Sequence, residues 1–136
     1  MSKNIAIIAT LWHKKDLEVM VREARKAAKD MGLNITKQVV VPGAYEIPLA
    51  LKRLLFSKNI DGAVVLGIIE QGETKHGMVM GIVVHEAIVK LELETGKPVG
   101  KAILGPEILP NQISKRTRLY ARKAVKALDS MLKLNL

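Results

Sequence analysis

Apolar and polar residues follow two different rhythms along this chain. Asn4–Thr10 (NIAIIAT), Ile35–Val41, Gly62–Leu66 (GAVVL) and Val99–Leu104 are short β-branched or aliphatic runs, the pattern of strands covered on both faces. Between them apolar residues recur at the spacing of one helix face: Leu17, Met20, Ala24, Ala27, Ala28 and Met31 within Asp16–Met31, then Met80, Val84, Ala87, Ile88 and Leu91, then Tyr120, Ala124, Ala127, Leu128 and Met131. Tyr45–Phe56 reads as a further helix, with Pro48 near its first turn, where the missing N–H costs least. Glycine and proline punctuate the series. Gly32 stands at a helix C-cap, Pro42-Gly43 stops the second strand, Gly96-Lys97-Pro98 ends the third helix and Gly105-Pro106 breaks the chain after the fourth strand. The order βαβαβαβα predicts one α/β domain over residues 1–136, a four-stranded parallel sheet with helices on both faces. Ligands of such sheets bind beyond the carboxyl ends of the strands, so the chemistry is expected just after Thr10, Val41, Leu66 and Leu104.

Unusual residues do follow those strands. The first runs into Leu11-Trp12-His13, placing the only tryptophan where a planar ligand would stack on it, or where it would anchor a core or interface. After the second comes Val41-Pro42-Gly43-Ala44-Tyr45-Glu46-Ile47-Pro48, a tight turn feeding a helix N-terminus. Free N–H groups there suit the polar edge of a heterocycle, and Glu46 either accepts hydrogen bonds from ring nitrogens or complements the helix dipole. After the third comes Gly67-Ile68-Ile69-Glu70-Gln71-Gly72-Glu73-Thr74-Lys75-His76-Gly77. This glycine-containing loop offers backbone amides, the Thr74 hydroxyl and a positive helix end to an anion such as phosphate. It is neither a Walker A loop nor a dinucleotide fingerprint. His76 beside it reads as a proton carrier near neutral pH or as an exposed residue at a helix start.

Composition narrows the chemistry. With 136 residues and 49% hydrophobic content the chain can bury a full core, and the absence of cysteine removes thiol nucleophiles, disulfides, iron–sulfur clusters and thiolate-bound zinc. No metal site is expected, since His76 and His85 are off the i, i+4 spacing and no carboxylate completes a ligand pattern. No Gly-x-Ser-x-Gly elbow occurs. The start of the chain lacks a secretory pattern and no apolar run spans a bilayer, so a cytoplasmic protein is expected. The net charge of +9 is concentrated at residues 110–136, where seven Lys or Arg face Asp129 alone. Such a basic helix suits a nucleic acid, a phosphorylated small molecule, an acidic face of a neighbouring subunit, or solvent. Tyr120 is its only aromatic residue, so the stacking platform for single-stranded nucleic acid is missing, and no nucleic-acid or membrane partner is expected.

The segments VPGAYEIPLA and GIIEQGETKH, with Trp12 after the first strand and Gln112 four residues before Arg116, resemble the 6,7-dimethyl-8-ribityllumazine synthase family over nearly the whole chain. The resemblance implies a flavodoxin-like three-layer α/β/α sandwich. It also implies condensation of 5-amino-6-(D-ribitylamino)uracil with 3,4-dihydroxy-2-butanone 4-phosphate in riboflavin biosynthesis, without a cofactor. Carried over by position, Trp12 would stack on the pyrimidine. Ala44, Tyr45 and Glu46 would hold its polar edge and ribityl chain, and Ile68, Ile69 and Glu70 would line the ring pocket. Glu73 and Thr74 would cradle the phosphate, His76 would transfer protons and Arg116 would grip the phosphate. The resemblance further implies a homo-oligomer, a pentamer or a shell of twelve pentamers, with sites between subunits that Arg116 and Lys101 enter from the next chain. The alternatives are an archaeal-type riboflavin synthase, against which the Gly-Glu-Thr-Lys-His loop argues, and a non-catalytic flavin-binding or shell-forming module.

Overall fold

A computed structural model of the protein describes residues 2–136. Strands β1 (Asn4–Thr10), β2 (Asn34–Val41), β3 (Gly62–Glu70) and β4 (Val99–Ile108) form one parallel sheet in the order β2-β1-β3-β4. Helices α1 (Lys14–Asp30) and α5 (Thr117–Leu132) cover one face. Helices α2 (Ile47–Leu55) and α3 (His76–Thr95) cover the other, and a single turn, α4 (Pro110–Ile113), leads into α5.

The two-residue repeat of a strand divides the core. Ile5, Ile7, Val64, Leu66 and Ile68 point toward α1 and α5, where Leu17, Met20, Ala121 and Leu128 meet them. Ala6, Ile8, Ala63, Val65 and Ile69 point the other way, against Ile47, Leu51, Val84 and Ile88. Both faces of β1 and β3 are therefore buried, as their unbroken apolar runs predict. β2 is different. Thr36, Lys37 and Gln38 are exposed on it because no strand pairs beyond it, so the expectation of cover on both faces holds for the central strands and fails at this edge.

The boundaries depart from the expected ones chiefly at the carboxyl ends. β3 continues four residues past Leu66, so Gly67–Glu70 are strand rather than loop. β4 runs through Gly105-Pro106 to Ile108 instead of stopping at Leu104. Proline is tolerated there because β4 is an edge strand, and the β3–β4 register shifts between Ile68 and Glu70 to take up the irregularity. Gly105 sits at φ +95, a conformation that glycine adopts without a Cβ penalty. The N-terminus of α2 is a 3₁₀ turn, Ala44–Glu46, before the α-helix starts at Ile47. Gly32 closes α1 as expected: at φ +73 it donates to the Lys29 carbonyl while Leu33 donates to that of Ala28, a Schellman closure.

α5 lies unusually close to β4. A Cβ built on Gly100 would collide with the Ala124 carbonyl group, so this helix rests backbone to backbone on the edge strand. Gly100→Ala must push α5 outward, and overpacking of this kind costs about 2 kcal/mol or more. The expected outcome is a lower urea midpoint with an unchanged m-value.

Candidate active site

Three strand ends build one cleft of about 400 Å³. β1 supplies Trp12, which is 62% exposed and lies along the wall of the cleft. The residue after it, His13, has φ 58 and forms the N-cap of α1, so the chain turns sharply and leaves the indole standing clear of the sheet. β2 supplies Pro42, Gly43 and Ala44, the start of the 3₁₀ turn. β3, buried until its last residue, supplies Ile68, Ile69 and the half-buried Glu70.

The far wall is the start of α3. Its first residue is His76, whose backbone N–H donates to the Thr74 hydroxyl at 3.3 Å. Thr74 and His76 both line the cleft. A Cβ at Gly77 would stand 3.2 Å from the Glu70 carbonyl oxygen, so glycine lets the helix start directly against the end of β3. The start of α3, with its positive helix end, thus borders the cleft. The Tyr45 ring meets the His76 imidazole edge-on, with centroids 5.9 Å apart, and so closes the same rim. Glu46 is exposed next to it. Its Oε2 reaches back over Gly43, where a Cβ would lie 3.3 Å away.

Of the residues expected from the sequence, Trp12, Ala44, Ile68, Ile69, Glu70, Thr74 and His76 are brought together, with Tyr45 and Glu46 at the rim. Glu73 is exposed on the loop between β3 and α3 and does not line the cleft. Arg116 and Lys101 lie elsewhere on the same chain. Arg116 lines a separate recess of about 270 Å³ with Gln112 and Tyr120, and its Nη1 donates to the Gln112 carbonyl at 2.9 Å. Lys101, on edge strand β4, pairs with the Glu92 carboxylate and donates to the Val99 carbonyl. Next to it, burial and then the Lys101 charge push His85 below its ordinary pKa, so this second α3 histidine is held neutral away from the cleft.

Sequence reasoning missed His13. Its Nε2 lies 3.5 Å from Oε2 of Glu70 and has no hydrogen-bond partner among the described residues. The only trace of it in the sequence is position, immediately after Trp12, because histidine does not announce a left-handed backbone as glycine would. No cluster of three or more metal-ligating side chains occurs among the described residues, and no described helix is long and apolar enough to cross a membrane.

An indole face, a run of backbone amides at a helix start, two carboxylates and an imidazole thus converge at the carboxyl edge of a parallel sheet. This is the arrangement of an α/β enzyme site, with surfaces that suit a planar polar heterocycle and an anionic group beside it. The family model described as 6,7-dimethyl-8-ribityllumazine synthase matches residues 2–135, and the chain belongs to that family. The 6,7-dimethyl-8-ribityllumazine synthase of Staphylothermus marinus is 36% identical over 128 residues, 94% of this chain and 85% of the relative. That of Methanopyrus kandleri is 33% identical over 129 residues, 95% of this chain and 91% of the relative. That of Methanococcus maripaludis is 31% identical over 130 residues, covering 96% and 94%.

Because Trp12 is the only tryptophan and lies on the cleft, a planar ligand stacked there must change the protein's whole indole emission. Trp12→Ala is expected to abolish that signal and to weaken the ligand about tenfold in calorimetry, the scale of one aromatic stacking contact. Unchanged affinity would place the ligand elsewhere.

Proposed function

We propose that this protein condenses 5-amino-6-(D-ribitylamino)uracil with 3,4-dihydroxy-2-butanone 4-phosphate to give 6,7-dimethyl-8-ribityllumazine, releasing phosphate and two waters, as a step of riboflavin biosynthesis. The observation that supports this most is the meeting of Trp12 and His76 in one cleft, with the start of α3 between them, in a chain of this family. The pyrimidine stacks on Trp12. The turn Ala44–Glu46 takes its polar edge and ribityl hydroxyls, and Ile68, Ile69 and Glu70 wall the ring. The phosphate rests on the hydroxyl of Thr74 at the positive end of α3.

The chemistry asks for alignment first. The 5-amino group attacks the ketone and water leaves to form an imine. The phosphate is then expelled, and the ribitylamino nitrogen closes the ring with loss of the second water. Holding two reactants in register contributes up to roughly 7–11 kcal/mol to barrier lowering, whereas a positioned acid–base group supplies about 10²–10⁴ in rate. His76 moves the protons, held edge-on by Tyr45.

Arg116 belongs to the site of the next subunit. Within its own chain it lines a different recess from His76, so a phosphate-gripping role requires a second copy. Lys101, on edge strand β4, would have to exchange its pairing with Glu92 to reach a neighbouring site in the same way. The exposed apolar residues Val79, Ile82, Val83, Val89 and Leu93 along α3 supply a surface for such an assembly, a pentamer or a shell of pentamers. Residues 1–136 act in it as one domain, and the cysteine-free composition suits a cytoplasmic enzyme.

Mixing the two substrates with purified protein should produce the lumazine chromophore, and its absence would refute the assignment. His76→Ala should slow single-turnover formation about 10²-fold without abolishing it, because alignment survives. Arg116→Ala should raise KM for the butanone phosphate about tenfold or more and leave that for the pyrimidine unchanged.

A further inference from the structure

Beside the cleft stands a histidine–carboxylate pair that its phosphate chemistry does not require. Glu70, the last residue of β3, lines the wall with its carboxylate half-buried, and His13 approaches it from the start of α1. Among the described residues the Nε2 of His13 is sealed from solvent without a hydrogen-bond partner, and it faces the Glu70 carboxylate at 3.5 Å. Two features hold the ring in place. Its backbone is left-handed at φ 58, which few residues tolerate, and its edge meets the Trp12 ring at 5.6 Å and 84°.

We propose that the His13–Glu70 pair sorts the two substrates between the two halves of the cleft. A carboxylate offers acceptors only, four lone-pair sites of which His13 addresses one, so the remaining capacity suits N–H and O–H donors. The aminopyrimidine with its polyol chain is rich in such donors, and the four-carbon phosphate ester carries a dianion that Glu70 repels. The start of α3, with Thr74 and His76 on the same cleft, has the reverse polarity. A cleft with one acidic and one electropositive wall accepts two different molecules in one relative orientation, as condensation between them demands. Glu70 is the specificity-determining residue. His13 is a positioning residue that acts through it.

This inference rests on the proposed reaction for the identity of the ligands, so its test is read by binding rather than turnover. The probes are the 5-nitro analogue of the ribitylaminopyrimidine, which lacks the attacking amine, and inorganic phosphate, each titrated by calorimetry into the assembled full-length protein. Wild-type protein that fails to bind the nitro analogue would overturn the reaction assignment and this proposal together. Where it binds, Glu70→Gln should weaken the analogue about tenfold and leave phosphate unchanged or tighter. His13→Asn keeps a residue that tolerates the left-handed backbone but cannot reach Glu70. It should weaken the analogue about threefold, and the double variant should bind no more weakly than Glu70→Gln alone. The proposal is overturned if Glu70→Gln binds the analogue as wild type does or weakens phosphate instead. A His13→Asn effect that adds in full to that of Glu70→Gln would equally refute it, since His13 would then act independently. Far-ultraviolet circular dichroism and thermal midpoints of all variants separate these outcomes from loss of fold.

Discussion

The start of α3 lies against the end of β3, and the site is organised around that contact. Glu70 is the last residue of the strand and His76 the first of the helix, and between them the chain must reverse within five residues. Gly77 makes this possible: any side chain there would press on the Glu70 carbonyl and on Ile69. With the helix held so close, its first residues His76 and Gly77 line the same small volume as Glu70 and Trp12. A helix start displaced by a turn would carry the imidazole about 5.4 Å away, beyond reach of a ligand stacked on Trp12.

Much of this was legible in the sequence. The four apolar runs, the helical spacing between them and the glycines at helix ends correspond to elements that form, because strong periodicity and strong punctuation act locally. The strand-end rule located the cleft before any coordinates, and the residues around Trp12, Ala44 and Thr74 do line it. What was not legible depends on contacts remote in sequence. The extension of β3 to Glu70 and of β4 to Ile108 is stabilised by pairing between the two strands, which no local pattern in GIIEQ or GPEI encodes. His13 was invisible for the same reason. Its partner lies 57 residues away, and its left-handed backbone is unusual for its residue type.

The placement of Arg116 shows a different limit. It follows α4 on the far side of β4, while the cleft is made by the ends of β1, β2 and β3. Strand order alone accounts for the separation. In the order β2-β1-β3-β4, residues after the edge strand β4 stand beside, not above, the central switch point. The role proposed for Arg116 therefore calls for a second copy of the chain, to which an edge strand and its following loop are exposed.

The positive charge is distributed in a way that bears on how an anionic substrate finds this site. The basic residues of α5 lie mostly in solvent: Arg118, Arg122, Lys123 and Lys126 are exposed, while the opposite side of the helix packs through Ala121, Ala124, Val125 and Leu128. Only part of this charge is locally neutralised, by Glu23 against Arg122 and Asp129 against Lys133. Exposed pairs of this kind contribute little to stability, so holding the fold together does not explain why the helix is basic. A net +9 does, however, generate a field that extends about a Debye length, roughly 8–10 Å at moderate salt, and draws anions toward the surface. Arg116 lies at the start of that helix. On the proposed reaction this charge would guide a phosphate ester toward the protein, with discrimination left to the short-range contacts inside the cleft.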